Sequence, residues 1–143
     1  MERSEDLQRL VIAAHALTRI AALETRNEAP AAQWRTLTLL RENGPLRLGE
    51  LATRSRVSQP GMTRLVGVMA ESGLVERVAD AADSRATVVR ATAAGVHALE
   101  AWLTQLTAAL VPHFTDLDDD DWAALGRTAG ILARKTGSME LTR

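Results

Sequence analysis

Residues 48–89 read LGELATRSRVSQPGMTRLVGVMAESGLVERVADAADSRATVV, and the order of signals along this stretch decides the fold. Leu48, Leu51 and Ala52 recur at i, i+3, i+4, which places them on one face of a short helix ending near Arg56. Ala52 is small enough to let a second helix come close, and Val57 turns inward at the break. Ser58 then offers a hydroxyl as N-cap, and Pro60 falls in the first turn of a new helix, where a missing N–H costs nothing. Met62, Leu65, Val66 and Met69 make the apolar side of that helix, and Gly73 suits a left-handed stop. Helix, tight turn and capped helix predict a helix-turn-helix.

Two strand-like runs follow. Leu74 to Val78 is short and apolar-rich, and Ala86 to Ala93 opens with β-branched residues. Ala79 to Arg85 between them has the polar composition of an exposed hairpin tip. A helix-turn-helix followed by such a hairpin is a winged helix, so the fold class expected is mainly α with a small β-hairpin wing. In combination, five features resemble the MarR family of bacterial transcription regulators. These are the LxxLA helix, the S-x-P-x-x-T-R opening of the second helix, the G-L-V-E-R run, the D-x-R of Asp83 and Arg85, and the T-x-x-G of Thr92 to Gly95.

Outward from this centre, residues from about Glu5 to Glu24 space Leu7, Leu10, Val11, Ala14, Leu17 and Ala21 along one helical stripe. A break at 27–30 separates it from a helix over Ala31 to Glu42, with Trp34, Leu37 and Leu40 three apart and Gly44-Pro45 closing it. Leu46-Arg47 reads as a minimal strand that pairs with the wing. After Thr92, a good N-cap, Val96, Leu99, Leu103, Leu106 and Leu110 form a heptad-like seam that Pro112 ends. The last helix starts in the run Asp118 to Asp121, whose charge suits a helix N-terminus, and is expected to end at Arg134-Lys135. The whole chain, 1–143, is expected to be one MarR-type domain: a winged helix-turn-helix at 31–95, with dimerisation helices at 1–28 and 96–143.

Composition narrows the function. A formal net charge of −1 is not that of an indiscriminate nucleic-acid binder, yet Arg47, Arg54, Arg56 and Arg64 cluster around a single acid, Glu50. Such a local basic face can meet phosphate on a near-neutral chain. With no cysteine there is neither disulfide nor thiol switch. His15, His97 and His113 are scattered without carboxylate partners, so no metal or other cofactor is expected. No run approaches a membrane span and the first residues lack the layout of a signal peptide, so a cytoplasmic location is expected. Nothing forms a nucleophile–base set or a Gly-rich phosphate loop, which argues against an enzyme.

The resemblance implies a homodimeric repressor held together by its terminal helices, bound to a pseudo-palindromic operator on double-stranded DNA. It also implies release by a small aromatic or anionic effector. The apolar stripes agree with a dimer, although they could instead pack within one chain. For DNA, the opening of a reading helix is what reaches base edges in the major groove. Ser58, Gln59, Thr63 and Arg64 occupy that opening, and Gly61 removes a side chain among them. In the wing, Asp83 and Arg85 stand two apart and would share one face of an extended hairpin, with Asp83 holding the guanidinium of Arg85 or of Arg64. Arg85 could then enter a narrow minor groove. Arg54, Arg56, Arg77 and Arg90 are further phosphate candidates. His15, Trp34, Arg35 and Trp102 are the candidates for lining an effector pocket. The alternatives are a winged helix used only to bind protein, and a regulator that takes no ligand.

Overall fold

The computed structural model of the chain describes residues 2–27 and 29–141. Met1, Glu28, Thr142 and Arg143, which belong to the predicted flanks and the predicted break, lie outside the described residues. In chain order the elements are α1 (Arg3–Thr25), α2 (Ala31–Asn43), β1 (Leu46–Arg47), α3 (Leu48–Ser55), α4 (Gln59–Glu71), β2 (Val75–Ala79), β3 (Thr87–Ala91) and α5 (Ala93–Leu110). A single 3-10 turn (Val111–Phe114) and α6 (Asp119–Leu141) follow. The fold class is the one the sequence predicts, a winged helix-turn-helix flanked by long helices. The chain divides into two compact units, residues 1–109 and 110–143.

In the first unit the core gathers one or a few residues from every element after α1. Leu37, Leu39 and Leu40 of α2 meet Leu46, Leu51 and Ala52, then Met62, Val66 and Met69 of α4, with Val75, Val89 and Leu99 closing the cluster. The periodicities of α2, α3 and α4 therefore point the right way. Ser58 caps α4 as expected: its Oγ accepts the Gly61 N–H at 3.1 Å. At the other end, Gly73 is left-handed (φ 77°) and a pair of bonds, Gly73 N to Ala70 O at 3.0 Å and Leu74 N to Met69 O at 2.9 Å, satisfies the last carbonyls. α3 closes by the same pattern with Arg56 in the left-handed position (φ 57°), where glycine is the usual choice.

Both wing strands begin one residue later than predicted, at Val75 and Thr87. Leu74 is withdrawn from the sheet because its N–H finishes α4 and its carbonyl accepts the Thr92 N–H at 3.1 Å. The three strands lie in the order β1-β3-β2, all antiparallel. Leu46 opposite Val89 and Val75 opposite Ala91 face the core, whereas Arg47, Val88, Val78, Glu76 and Arg90 share the outer face by the same register. The N-cap at Thr92 is present, with Oγ1 accepting from Gly95 N at 3.0 Å.

Along α1 only Ala21 is buried, while Leu7 (59% exposed), Ile12 (61%) and Leu23 (73%) lie open. The apolar surface is broader than the predicted stripe, since Ile12, Ile20 and Leu23 extend it around the helix. In the second unit Asp118 Oδ1 accepts the Asp121 N–H at 2.8 Å, so the acidic run does open α6. Phe114 and Trp122 meet with ring centroids 6.2 Å apart. The helix continues to Leu141 rather than stopping at Arg134-Lys135, because basic residues favour a C-terminus without breaking a helix and no proline follows them.

Thr36 is fully buried in α2 with no hydrogen-bond partner for its hydroxyl. Burying an unpaired hydroxyl costs about 1–3 kcal/mol. Thr36→Val keeps the shape and removes that cost, so it is expected to raise stability by about 1 kcal/mol. A urea midpoint that falls instead would show that the hydroxyl is satisfied in solution.

Candidate nucleic-acid interface

α4 presents Ser58, Gln59, Thr63 and Arg64 on its exposed side, while Met62 is wholly buried beneath them. Thr63 Oγ1 donates to the Gln59 carbonyl at 2.9 Å, so its methyl group and lone pairs, not its proton, are left for a partner. Gly61 faces the other way. A Cβ there would lie 2.9 Å from Ser58 Oγ and 3.1 Å from Val57 Cγ1, so this glycine makes room for the cap and turn rather than replacing a reading side chain.

At the wing tip Asp83 and Arg85 do pair, but not as an extended hairpin would arrange them. The Ala86 N–H donates to Asp83 O at 3.0 Å, closing a tight turn over these residues. Asp83 Oδ1 accepts the Arg85 backbone N–H at 3.0 Å and its Nε–H at 3.2 Å. An Asp side chain bonding the backbone two residues on is a local motif that needs no strand. It is Arg85, not Arg64, that Asp83 holds, and the Arg85 side chain is 90% exposed. Arg85, Ala86 and Thr87 border an open groove of about 440 Å³ whose other walls are Gln59 of α4 and residues 47–50 at the start of α3. α4 and the wing thus share one concave surface.

The remaining arginines differ in their freedom. Arg54 gives one N–H to Asn43 Oδ1 at 3.2 Å, and Arg90 is tied to Glu76 across the sheet. Arg77 lies on the opposite sheet face from Arg90, with its guanidinium beside Gly67 of α4. Arg56 and Arg64 are exposed and make no ion pair among the described residues. The sequence places Arg47 in the basic face but gives no sign of its partner Asp80: Arg47 Nε donates to Asp80 Oδ2 at 2.7 Å, with Nη2 at 2.6 Å from the same oxygen. Asp80 Oδ1 also accepts the Ala82 N–H at 2.9 Å. The Ala82 backbone bond above all, joined by Arg47, holds the Asp80 carboxyl below its ordinary range and outweighs the opposing effect of burial.

Of the four effector candidates, the fold brings two together. Trp34 and Trp102 stack with centroids 4.9 Å apart and planes 12° from parallel, and Trp34 Nε1 is buried without a partner. His15 and Arg35 are exposed. Among the described residues no group of three His, Asp or Glu side chains could hold a metal ion, and no helix is long and apolar enough to cross a membrane.

The sequence profile of the MarR family matches residues 29–86, the stretch holding α2 to the wing. An uncharacterized HTH-type transcriptional regulator of Mycobacterium leprae is 31% identical over 100 residues, which is 70% of this chain and 70% of that protein. The chain belongs to the MarR family. It is a transcription regulator by that membership, and its family is not one of enzymes. The HTH-type transcriptional repressor IacR of Pseudomonas putida is 35% identical over 68 residues, covering 48% of this chain but only 41% of the repressor's own length. Wild-type MarR (apo form) from E. coli superposes with a TM-score of 0.71 at 22% identity, over 88% of this chain and 96% of that one, and shares the fold.

Proposed function

We propose that this MarR-family protein is a homodimeric repressor that binds a pseudo-palindromic operator, with α4 in the major groove and Arg85 in the adjacent minor groove. The observation that carries the reading is the shared concave surface: Gln59 of α4 and Arg85 of the wing border one groove, and Arg85 projects from it. A regulator that matches 48% of this chain and 41% of its own length is named a repressor, which favours repression over activation. In this reading residues 31–95 form the winged helix-turn-helix, and 1–28 and 96–143 supply the dimerisation helices. The open apolar residues of α1, together with Trp122 (45% exposed) and Leu125 of α6, support a covering partner copy. The protein would act in the cytoplasm.

Three measurements test this. Multi-angle light scattering at micromolar concentration should give twice the chain mass; a monomer that still binds operator would sink the dimer. Operator affinity should fall steeply with salt, because each phosphate contact releases counterions. Salt-insensitive binding would instead favour a module that docks on protein. Gln59→Ala should lose roughly 1–3 kcal/mol of discrimination between operator and scrambled DNA while keeping most non-specific affinity. An equal loss on both DNAs would remove Gln59 from base reading.

Release by a small aromatic or anionic effector belongs to the same proposal. The Trp34–Trp102 stack, with its unpartnered Nε1–H, favours those two side chains over His15 and Arg35 as the lining. Tryptophan fluorescence titrated with benzoate, in the presence and absence of operator, would test this pocket.

A further inference from the structure

Arg47 and Asp80 lie 33 residues apart in sequence and come together on the outer face of the sheet. Arg47 ends β1, directly before α3, and stands opposite Val88 of β3. Asp80 follows the last residue of β2 and opens the wing loop, where its N–H donates to Ala86 O at 3.3 Å. The Arg47 guanidinium therefore reaches across β3 and places two nitrogens on one carboxylate oxygen, while the other oxygen holds Ala82. The Asp80 side chain is 14% exposed and that of Arg47 49%. Five residues beyond Asp80 stands Arg85, on the same loop and the same groove as Arg47. Such a link joins the start of α3 to the wing loop, and it also neutralises a cation that borders the groove.

We propose that Asp80 is a positioning and specificity-setting residue: by clamping Arg47 it fixes the wing loop on the β1–α3 junction and withholds one guanidinium from DNA phosphate. The proposal rests on the DNA-binding reading above. Its logic is a difference between two kinds of DNA. On the operator, a fixed loop presents Arg85 at a set distance from α4, so less freedom is lost on binding. On any DNA, a freed Arg47 adds a sequence-independent phosphate contact, which raises non-specific affinity and steepens the salt dependence by about one unit. The clamp thus widens the gap between operator and non-operator binding.

Asp80→Asn tests it, since the amide oxygen still accepts the Ala82 N–H while the charge that holds Arg47 is gone. Operator and scrambled duplexes are titrated across a salt series, with thermal melts alongside. The expected result is tighter scrambled-DNA binding by about three- to tenfold, a salt slope steeper by about one unit, and a lower operator-to-scrambled ratio at parental melting temperature. Arg47→Gln should lower the ratio without steepening the slope, because it frees the loop but adds no cation. The exchange Arg47→Asp with Asp80→Arg rebuilds the pair and should recover the parental ratio to within about threefold, which a purely local role for either residue would not. Parental slope and ratio in Asp80→Asn would overturn the clamp while leaving DNA binding intact. Absence of salt-dependent DNA binding in the parent would overturn the DNA reading and the clamp with it.

Discussion

Gly95→Ala is expected to destabilise the chain by about 3–5 kcal/mol, a large part of the ~5–15 kcal/mol that holds an ordinary domain together. A Cβ at this position would stand 2.0 Å from the Leu74 carbonyl oxygen and 2.9 Å from its carbon, with Leu37 Cδ2 at 3.2 Å on the other side. The first two atoms are backbone and cannot swing away. To make room, α5 must lift from the β2 junction. That movement would strain the Thr92 N–H bond to Leu74 O and the Thr92 Oγ1 bond to Gly73 O at 2.5 Å. Each lost bond adds about 0.5–1.5 kcal/mol to the overpacking cost. The melting temperature should fall by roughly 10–20 °C. Gly126→Ala in α6 is the control, because no atom lies within 4 Å of a Cβ there. It should gain about 0.5–1 kcal/mol from helix propensity alone. If Gly95→Ala melts with the parent, the T-x-x-G motif does not serve the close approach described here.

How much of this was open to a reader of the sequence depends on how far apart the interacting residues stand. The apolar faces of α2, α3 and α4, the Ser58 cap and the Gly73 stop rest on neighbours within one or two turns and are present, whereas the two-residue strand at Leu46-Arg47 forms by pairing with the distant Val89 and Val88. The reason for Gly95 is a carbonyl 21 positions away in the chain, at Leu74, so the motif could be recognised but not explained. Arg47 looked like one of several free cations because Asp80 meets it only once the sheet has formed. Arg90 likewise becomes half of an ion pair with Glu76 through the β2–β3 register. Asp83 and Arg85 pair as their spacing predicts, but through a different geometry: the separation of two suits an extended strand and a side-chain-closed turn alike, and the turn is what forms. On α1 the helical spacing predicts a single apolar stripe, and Ile12, Ile20 and Leu23 widen it beyond that stripe.

Arg85→Ala should weaken operator binding about 10- to 100-fold and flatten the salt dependence by about one unit of slope. The side chain is 90% exposed and is bonded to Asp83, so its removal creates no cavity and should leave the melting temperature unchanged. The loss is predicted to be large because the guanidinium projects from the wing while its own turn already fixes the backbone: Asp83 accepts the Arg85 N–H, and Ala86 N–H closes the loop. Arg85→Lys separates two ways of using the charge. A lysine restores most affinity if the contact is a point charge near phosphate, but little if a flat guanidinium enters a narrow minor groove, where Arg is favoured. Asp83→Ala should cost less than Arg85→Ala, since it loosens the turn and leaves the cation in place. All three variants are titrated against one operator over a salt series, with melts recorded alongside. Parental binding by Arg85→Ala, or a loss that merely tracks unfolding, would remove the wing from the DNA interface and leave α4 to read alone.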